Sequence, residues 1–275
     1  MSAQPLVSIC IPTYKGGAYL AAAIDSVLSQ TLTDFELVVV DDNSPDDTAD
    51  IVAGFDDARL VYERNPANLG PQGNWNRCLQ LARGRYFKLL PHDDLLMPAC
   101  LEQQVAILEA DARHELALVF GARDVIGPDG RVLTSRHYGS AGSQRLTAQA
   151  VRAQCARRGT NVLGEPGSVM FRRELARRIG PFDARHPYVI DMDYWLRLLD
   201  HGDAYYCDQI LSAFRVSREQ WSVRLGQQQA DDFRQCMRQH LDRTGSRLHP
   251  LDRGIGWVTP VLNNWGRRLF YRFYL

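Results

Sequence analysis

Short apolar runs alternate with longer amphipathic stretches along the first hundred residues. The apolar runs are rich in β-branched residues, as in "VSICI" at Val7–Ile11 and "FELVVV" at Phe35–Val40. The second run is apolar at almost every position, which is typical of a strand covered on both faces of a sheet. Two further strands are predicted at Arg59–Glu63 and Arg85–Leu90.

Helical periodicity fills the segments between these strands. Ala18–Gln30, Gln72–Ala82 and Cys100–Ala110 each carry apolar residues at spacings of three and four, as in amphipathic helices. Pro98 suits the first turn of the last of these helices. Another helix is expected within "DDNSPDDTADIV", with Ser44 as the N-cap, Pro45 as the first helical residue and Asp47 completing a capping box. Alternating strands and helices predict an α/β fold in which helices cover both faces of a mostly parallel sheet.

The pattern changes after a strand predicted at Ala117–Gly121. "IGPDGRVL" indicates a turn between short strands, and "NVLGEPGSVMF" indicates a Gly/Pro-rich loop that enters a strand. Helices are predicted at Thr147–Arg158, Arg172–Ile179 and Tyr194–Leu199. Asp193 precedes the last of these helices and suits the N-cap position, which leaves Asp191 in the preceding loop.

Acidic pairs follow two of the predicted strands, at Asp41-Asp42 and at Asp93-Asp94. In parallel sheets the carboxyl ends of the strands form the edge at which ligands bind. Adjacent carboxylates repel each other unless a cation lies between them and an anionic ligand, and Mg²⁺ typically binds one or two carboxylates together with phosphate oxygens. The Asp93-Asp94 pair therefore predicts a divalent cation and a phosphate, with a solvated acidic turn as the alternative. The Asp41-Asp42 pair predicts a carboxylate that accepts hydrogen bonds from a base or a ribose hydroxyl, with a helix-entry acid as the alternative.

Composition narrows the class of protein. Lys plus Arg (32) equals Asp plus Glu (32), so we expect no nucleic-acid partner. The six cysteines form no CxxC pair, which favours buried free thiols and a reducing cytosol. No apolar run reaches the ~18 residues of a membrane span, so we expect a protein that is soluble or at most peripheral on the inner face of a membrane.

Five segments resemble, in order, the motifs of family-2 glycosyltransferases with the GT-A fold. They are "VSICIPTYKG", "FELVVVDDNSPDDT", "NLGPQGNWNRCLQLARGRY", "FKLLPHDDLLMP" and "IDMDYWLRL". The resemblance runs from about Val7 to about Phe214. It implies an inverting transferase that uses Mn²⁺ or Mg²⁺ and moves a sugar from a nucleotide diphosphate donor to a hydroxyl of a glycan or lipid-linked glycan, in polysaccharide or glycolipid biosynthesis.

The same resemblance implies roles for particular residues. Asp94 would be the principal metal ligand, with Asp93 beside it, and Asp191 would be the general base. The implied donor-binding residues are Pro12, Thr13, Tyr14, Asp42, Asn68, Gly70, Asn76 and Asp93. The implied organisation is a donor-binding half at residues 1–116, an acceptor-binding half at 117–225 and a helical tail at 226–275.

The sequence departs from the family pattern at two places. Pro91 stands where the first Asp of a D-x-D-D motif is often found, and Ser217 stands where many relatives have His. Both changes reduce the expected number of metal ligands. Arg215 or Arg218 would replace the His by pairing with the diphosphate, unless each is an ordinary solvated side chain.

The sequence leaves several interpretations open. His92 is either a turn residue or a group near the metal, and "GEPGSVMF" is either an acceptor-side loop or a structural turn. The tail either packs on its own domain or, with aromatics interleaved among Arg267, Arg268 and Arg272, lies at a membrane surface. Two rival functions are a nucleotidyltransferase and a noncatalytic nucleotide-sugar sensor, and the latter would not need Asp191.

Overall fold

The computed structural model describes residues 4–217, 228–245, 255–256 and 258–266 of the chain. The strands are β1 (Val7–Thr13), β2 (Phe35–Asp41), β3 (Leu60–Arg64), β4 (Tyr86–Leu89), β5 (Leu95–Leu96), β6 (Leu116–Ile126), β7 (Val132–Arg136), β8 (Gln144–Leu146), β9 (Val169–Arg172) and β10 (Asp203–Arg215). The helices are α1 (Leu20–Leu28), α2 (Thr48–Ala53), α3 (Gly70–Leu81), α4 (Cys100–Ala110), α5 (Ala148–Arg158), α6 (Arg173–Ile179), α7 (Ile190–Leu198) and α8 (Gln229–Thr244). Residues 258–266 are also helical and are called the tail helix below.

One mixed sheet joins the described strands in the order β3-β2-β1-β4-β9-β6-β10-β5, with β7 beside β6 and β8 beside β10. The ladders of β1 with β2 and β4, of β2 with β3, and of β6 with β10 are parallel. β9 is antiparallel to both of its neighbours, β4 and β6. The predicted α/β class with a mostly parallel sheet is confirmed, whereas the antiparallel insertion of β9 was not predicted.

Helices cover both faces of this sheet, as predicted. Leu37 and Val39 of β2 pack in one core with α1, α2 and α4, whereas Val38 and Val40 pack in the other core with α3, α5, α6, α7 and α8. The unbroken apolar run of β2 thus reflects burial of its alternating side chains on both faces. The prediction of buried free thiols is confirmed for all six cysteines.

The predicted N-caps of two helices are wrong. α2 begins at Thr48 rather than Pro45, and its N-cap Asp47 makes no side-chain cap hydrogen bond. The Ser44 hydroxyl instead accepts a hydrogen bond from the Lys15 N–H, so the predicted capping box is wrong. α7 begins at Ile190, so Asp191 and Asp193 both lie in its first turn and Asp193 is not the N-cap.

Two helices, α8 and the tail helix, lie within the segment 226–275 for which a helical tail was expected. α8 packs against α7, and the Asn263 amide of the tail helix donates to the Arg158 and Gly159 carbonyls at the end of α5. None of the helices in the described parts of the chain is long and apolar enough to cross a membrane. Arg218, Arg267, Arg268 and Arg272 lie outside the described residues.

Candidate active site

The carboxyl ends of β1, β2 and β4 meet at one edge of the sheet. Thr13 of β1 is paired with Asp41 of β2, and the Asp42 N–H donates to the Thr13 carbonyl at 2.8 Å. The Leu90 N–H, just after β4, donates to the Cys10 carbonyl at 2.9 Å. Because these three strands are parallel and adjacent, the loops that follow them lie side by side, as the sequence predicted.

Asp42 is buried and its carboxylate accepts three hydrogen bonds. The donors are the Asn65 amide at 2.8 Å, the Leu69 N–H at 2.8 Å and the Gly70 N–H at 2.9 Å. Two of these N–H groups belong to the start of α3, so Asp42 caps α3 rather than the helix that follows it in sequence. The Asn68 amide donates to the Asp42 carbonyl at 3.3 Å, which joins Asn68 and Gly70 to the same unit.

The loop after β1 leaves a polar atom without a protein partner. Pro12 and Thr13 are buried, Tyr14 is exposed, and the buried Thr13 hydroxyl makes no hydrogen bond in the structure. A Cβ placed on Gly16 would lie 2.3 Å from Thr13 Oγ1 and 3.3 Å from the His92 ring. The first loop therefore touches the loop that carries the second acidic pair, and the orphan hydroxyl points to a ligand at this edge.

Asp94 is a buried carboxylate in a turn, where its N–H donates to the Pro91 carbonyl. Its Oδ1 accepts from the Arg215 N–H at 2.9 Å. Burial, reinforced by the negative charge of Asp93, holds the pKa of Asp94 well above its ordinary value. The alternative of a solvated acidic turn is therefore wrong for Asp94.

Arg215 fixes this turn from the end of β10. Its buried guanidinium lies 4.4 Å over the Tyr19 ring and donates to the carbonyls of Asp93, Gly127 and Pro128. The alternative of a solvated Arg215 is wrong, because the side chain is buried and these contacts hold the loop. Pairing of Arg215 with a diphosphate stays a prediction.

The residues of this turn fit a hard divalent cation. Asp93 and Asp94 offer oxygen atoms alone, and their mutual repulsion is what a cation would relieve. Mg²⁺ and similar ions are commonly bound by one or two carboxylates plus the oxygens of a substrate phosphate. Asp93 and Asp94 would therefore be enough protein ligands for such a cation when a diphosphate supplies the others.

A second cluster of ligand-type groups, Asp193, Cys236 and His240, lies between α7 and α8. His240 Nε2 is 2.9 Å from Asp193 Oδ1, and Arg243 donates to His240 Nδ1 at 2.8 Å. Because Arg243 occupies the Nδ1 lone pair, Nε2 carries the proton and donates to Asp193. The cluster is thus a hydrogen-bond network that attaches α8 to α7, and an ion pair of Asp193 with Arg197 completes it.

Asp191 also lies in the first turn of α7, but its carboxylate has different partners from that of Asp193. Its Oδ2 accepts from the Asn161 amide at 2.9 Å and its Oδ1 from the Met192 N–H at 2.7 Å. Burial raises the pKa of the Asp191 carboxyl to about 7, and the charge of Glu165 contributes to the increase. A carboxylate with a pKa near neutrality is suited to accept a proton from a hydroxyl.

One loop, residues 161–168, connects Asp191 with Asp94. At its start Asn161 bonds Asp191, and near its end a Cβ on Gly167 would lie 4.0 Å from Asp94 Oδ2. Glu165, between these positions, raises the pKa of both acids through its charge. The 161–168 loop therefore has Asp191 next to one end and Asp94 next to the other.

Glu165 itself is held by two arginines. It pairs with Arg123 of β6 and with Arg136 of β7, the latter at 3.3 Å. Burial alone would raise the pKa of Glu165, but the two guanidinium groups keep it below its ordinary value. Neither Asn161 nor Glu165 was singled out from the sequence, although both belong to or adjoin the Gly/Pro-rich segment that was noted there.

Asn76 lies apart from the residues at the strand ends. Both atoms of its amide contact the backbone of Phe182, with the Phe182 N–H donating at 2.7 Å and the Phe182 carbonyl accepting at 3.1 Å. Its neighbour Asn74 is buried and faces the site, donating to the Val40 carbonyl and accepting from Asn65. The geometry thus gives Asn76 a structural role, which differs from the donor contact implied by the resemblance.

Comparisons with known proteins agree with this geometry. The sequence profile of Glycosyl transferase family 2 matches residues 8–180. MT1568, an uncharacterised protein of Mycobacterium tuberculosis (strain CDC 1551 / Oshkosh), is 35% identical over 210 residues, which are 72% of this chain and 63% of the relative. WfgD of Escherichia coli, a UDP-Glc:alpha-D-GlcNAc-diphosphoundecaprenol beta-1,3-glucosyltransferase, is 30% identical over 217 residues, or 78% of each chain.

The chain spans only part of several relatives, including 64% of RT0329 of Rickettsia typhi. Among solved structures, S. aureus TarS in complex with UDP-GlcNAc superposes with a TM-score of 0.67 at 18% identity, over 93% of this chain and 71% of that one. PcManGT, a mannosyltransferase from Pyrobaculum calidifontis in complex with GDP-Man and Mn²⁺, gives a TM-score of 0.59 at 18% identity over 95% and 70% of the two chains. The fold is that of the GT-A glycosyltransferases, and because the profile spans more than half of the sequence, the chain belongs to glycosyl transferase family 2.

Proposed function

We propose that the protein is an inverting glycosyltransferase that moves a sugar from a nucleotide diphosphate donor to a hydroxyl group, with Asp191 as the general base. The observation that carries this proposal is the 161–168 loop, which reaches Asp191 at one end and Asp94 at the other. A single displacement needs a proton acceptor on one side of the anomeric carbon and stabilisation of the departing diphosphate on the other. Asp191 at one end of the loop and the Asp93-Asp94 pair at the other would be these two kinds of group.

In this scheme Asp191 removes the proton of the acceptor hydroxyl as its oxygen bonds to the anomeric carbon. The bond between that carbon and the diphosphate oxygen breaks, and its electrons remain on the diphosphate. Because the pKa of Asp191 is about 7, its carboxyl group can be ionised near neutral pH and still take up the proton. Asn161 donates to the carboxylate and fixes its orientation.

The donor would occupy the edge formed by the loops after β1, β2 and β4. Thr13 and Tyr14, together with the unit that Asp42 builds from Asn68 and Gly70, would line the nucleotide pocket. Asp94, with Asp93 beside it, would hold Mn²⁺ or Mg²⁺, and a bound ion neutralises charge that develops on the leaving diphosphate. Residues 1–116 would thus form the donor-binding half and 117–225 the acceptor-binding half.

The exposed apolar side chains of the tail helix are evidence for an acceptor substrate located at a membrane surface. Val258, Leu262 and Trp265 follow helical spacing and are 55%, 61% and 71% exposed. An exposed apolar stripe of this kind suits insertion between lipid headgroups. A lipid-linked glycan acceptor on the cytosolic face of a membrane fits this stripe, and the diphosphoundecaprenol-linked substrate of WfgD has the same chemistry.

Substitutions of the two acids test the proposal. A thermal-shift screen of UDP and GDP sugars with Mn²⁺ identifies the donor, because a ligand at 100 times its Kd stabilises by about 2.7 kcal/mol. With that donor, we expect Asp191→Asn to lower turnover about 100-fold or more while donor binding persists, since general-base catalysis typically contributes 10²- to 10⁴-fold. Asp94→Asn should weaken donor binding in Mn²⁺.

Asp193→Asn is the matched control, because Asp193 lies in the same helical turn and faces α8. It loses contacts with Arg197 and His240, so we expect a lower Tm and unchanged turnover of the folded enzyme. Full turnover in Asp191→Asn would refute the base assignment. Undiminished donor binding in Asp94→Asn would refute its role at the diphosphate.

A further inference from the structure

A cavity opens next to Asp191, the proposed base. It has a volume of about 540 Å³ and lies between β7, the segment after α5 and the tail helix. Asn161 lines this cavity and also donates to Asp191. A molecule seated in the cavity would therefore lie beside the group that is proposed to accept the acceptor's proton.

The lining of this cavity is basic. Arg123, Arg136 and Arg158 contribute to its wall with His137, and no acidic residue is among the described residues that line it. Glu165, outside the lining, pairs with both Arg123 and Arg136. One carboxylate shared between two guanidinium groups leaves this side of the cavity with excess positive charge.

We propose that this arginine pocket, formed by Arg123, Arg136 and Arg158, binds a phosphate group of the acceptor substrate. The inference rests on the proposed transferase function and assigns the acceptor a chemical class. Guanidinium groups form paired hydrogen bonds with phosphate oxygens, and the hydroxyls of Thr134 and Thr160 line the same space. Several cations together with hydroxyl donors match a multiply charged group with several oxygens better than they match a neutral sugar.

The tail helix indicates which phosphate source suits the pocket. Leu262 lines the cavity and belongs to the exposed apolar stripe with Val258 and Trp265. A cationic pocket bordered by an apolar surface is complementary to a phosphate that carries a hydrocarbon chain. A free or water-soluble phosphate ester would use the same arginines without contacting the stripe.

Calorimetric titration with n-hexyl phosphate and with inorganic phosphate tests the pocket. The titrations are run in EDTA, so that metal bound at Asp94 does not contribute. Arg136→Gln combined with Arg158→Gln is the test variant, because both side chains are exposed and their loss is compatible with folding. Since hydrogen bonds to charged groups are among the strongest in proteins, we expect the double variant to bind hexyl phosphate about tenfold or more weakly.

Arg113→Gln combined with Arg185→Gln is the matched control. It removes the same charge from two exposed arginines outside the pocket lining and should bind both probes as the wild type does. Tighter binding of hexyl phosphate than of inorganic phosphate supports a lipid-linked acceptor, and equal binding supports a water-soluble phosphate ester. No binding of either probe to the wild type, or unchanged binding in the double variant, overturns the proposal.

Nucleotide-sugar binding by the wild type separates this proposal from the proposed function. Arginine-dependent phosphate binding without any nucleotide-sugar binding would refute the transferase and leave a phosphate-binding pocket. Nucleotide-sugar turnover that depends on Asp191, without arginine-dependent phosphate binding, would refute the pocket alone. Single substitutions, Arg136→Glu and Arg158→Glu, reverse the local charge and keep the test decisive if the double variant unfolds.

Discussion

Three aspartates, Asp42 and Asp94 after strands of the sheet and Asp191 in the first turn of α7, have different surroundings and therefore different chemical properties. The carboxylate of Asp42 accepts three hydrogen bonds and builds the start of α3. Asp94 is buried next to Asp93, where a cation would be stabilised. Asp191 has its pKa raised to about 7 and a single side-chain donor, Asn161. Residue type alone does not distinguish these roles, because the differences come from neighbours that are remote in sequence.

The pH dependence of transfer should report the ionisation of Asp191. Activity requires the ionised carboxylate, so kcat/KM should fall as the pH drops through about 7. The charge of Glu165 raises the pKa of Asp191, so Glu165→Gln should move this acid limb to lower pH. The pH profile of kcat/KM for wild type and variant measures the shift.

Glu115→Gln is the control for that profile, because Glu115 is an exposed acid that pairs with Arg145 rather than with the arginines that hold Glu165. Its acid limb should coincide with that of the wild type. A limb that stays in place in Glu165→Gln, or that moves to higher pH, would contradict the proposed coupling between Glu165 and Asp191.

Element boundaries follow from local sequence signals only where no tertiary contact competes. α4 ends at its predicted residue, Ala110, and begins at Cys100, two residues after the predicted first turn at Pro98. α2 and α7 do not begin as predicted, because Ser44 bonds Lys15 instead of capping α2, and Asp193 pairs with Arg197 and His240 instead of capping α7. Polar residues that are well suited to cap a helix are equally suited to tertiary hydrogen bonds.

Asn76 on α3 provides a test of element packing. Its amide accepts from the Phe182 N–H, so Asn76→Ala should leave that buried donor unsatisfied and cost about 1 to 3 kcal/mol of unfolding free energy. Nucleotide-sugar affinity should not change, because the side chain contacts the segment before α7 rather than the strand ends. Urea unfolding and donor titration measure the two effects.

Gln80→Ala is the matched substitution on the same helix, at an exposed position. It should alter neither stability nor affinity appreciably, since Ala is a good helix former. A loss of donor affinity in Asn76→Ala at full stability would restore the donor-binding role that the family resemblance implies.

At the scale of the whole molecule, the active edge and the apolar stripe of the tail helix are connected through the arginine pocket. Asn161 reaches Asp191 on one side of that pocket, and Leu262 borders it on the other. An enzyme that takes a lipid-linked acceptor needs such an arrangement, because the reacting sugar must reach the base while the lipid stays in the membrane.

Membrane association tests the stripe. Leu262→Ser combined with Trp265→Ser should reduce sedimentation with phospholipid vesicles by about tenfold or more, because burial of each large apolar side chain contributes about 1.5 to 3 kcal/mol. Val132→Ser changes a similarly exposed apolar residue, 52% exposed and outside the tail helix, and should sediment like the wild type. Equal sedimentation of all three proteins would exclude the membrane role of the stripe.

The sequence by itself determined the α/β class, the positions of most strands and helices in the first hundred residues, and the acids that follow β2 and β4. These features depend on local periodicity and on strand direction, which are short-range properties of the chain. The tertiary structure alone decided that β9 enters the sheet antiparallel, that Asp42 caps α3, and that Glu165 and Asn161 stand between Asp94 and Asp191. Those facts depend on contacts between residues far apart in sequence, and the pairing of such residues is fixed only when the whole chain has packed.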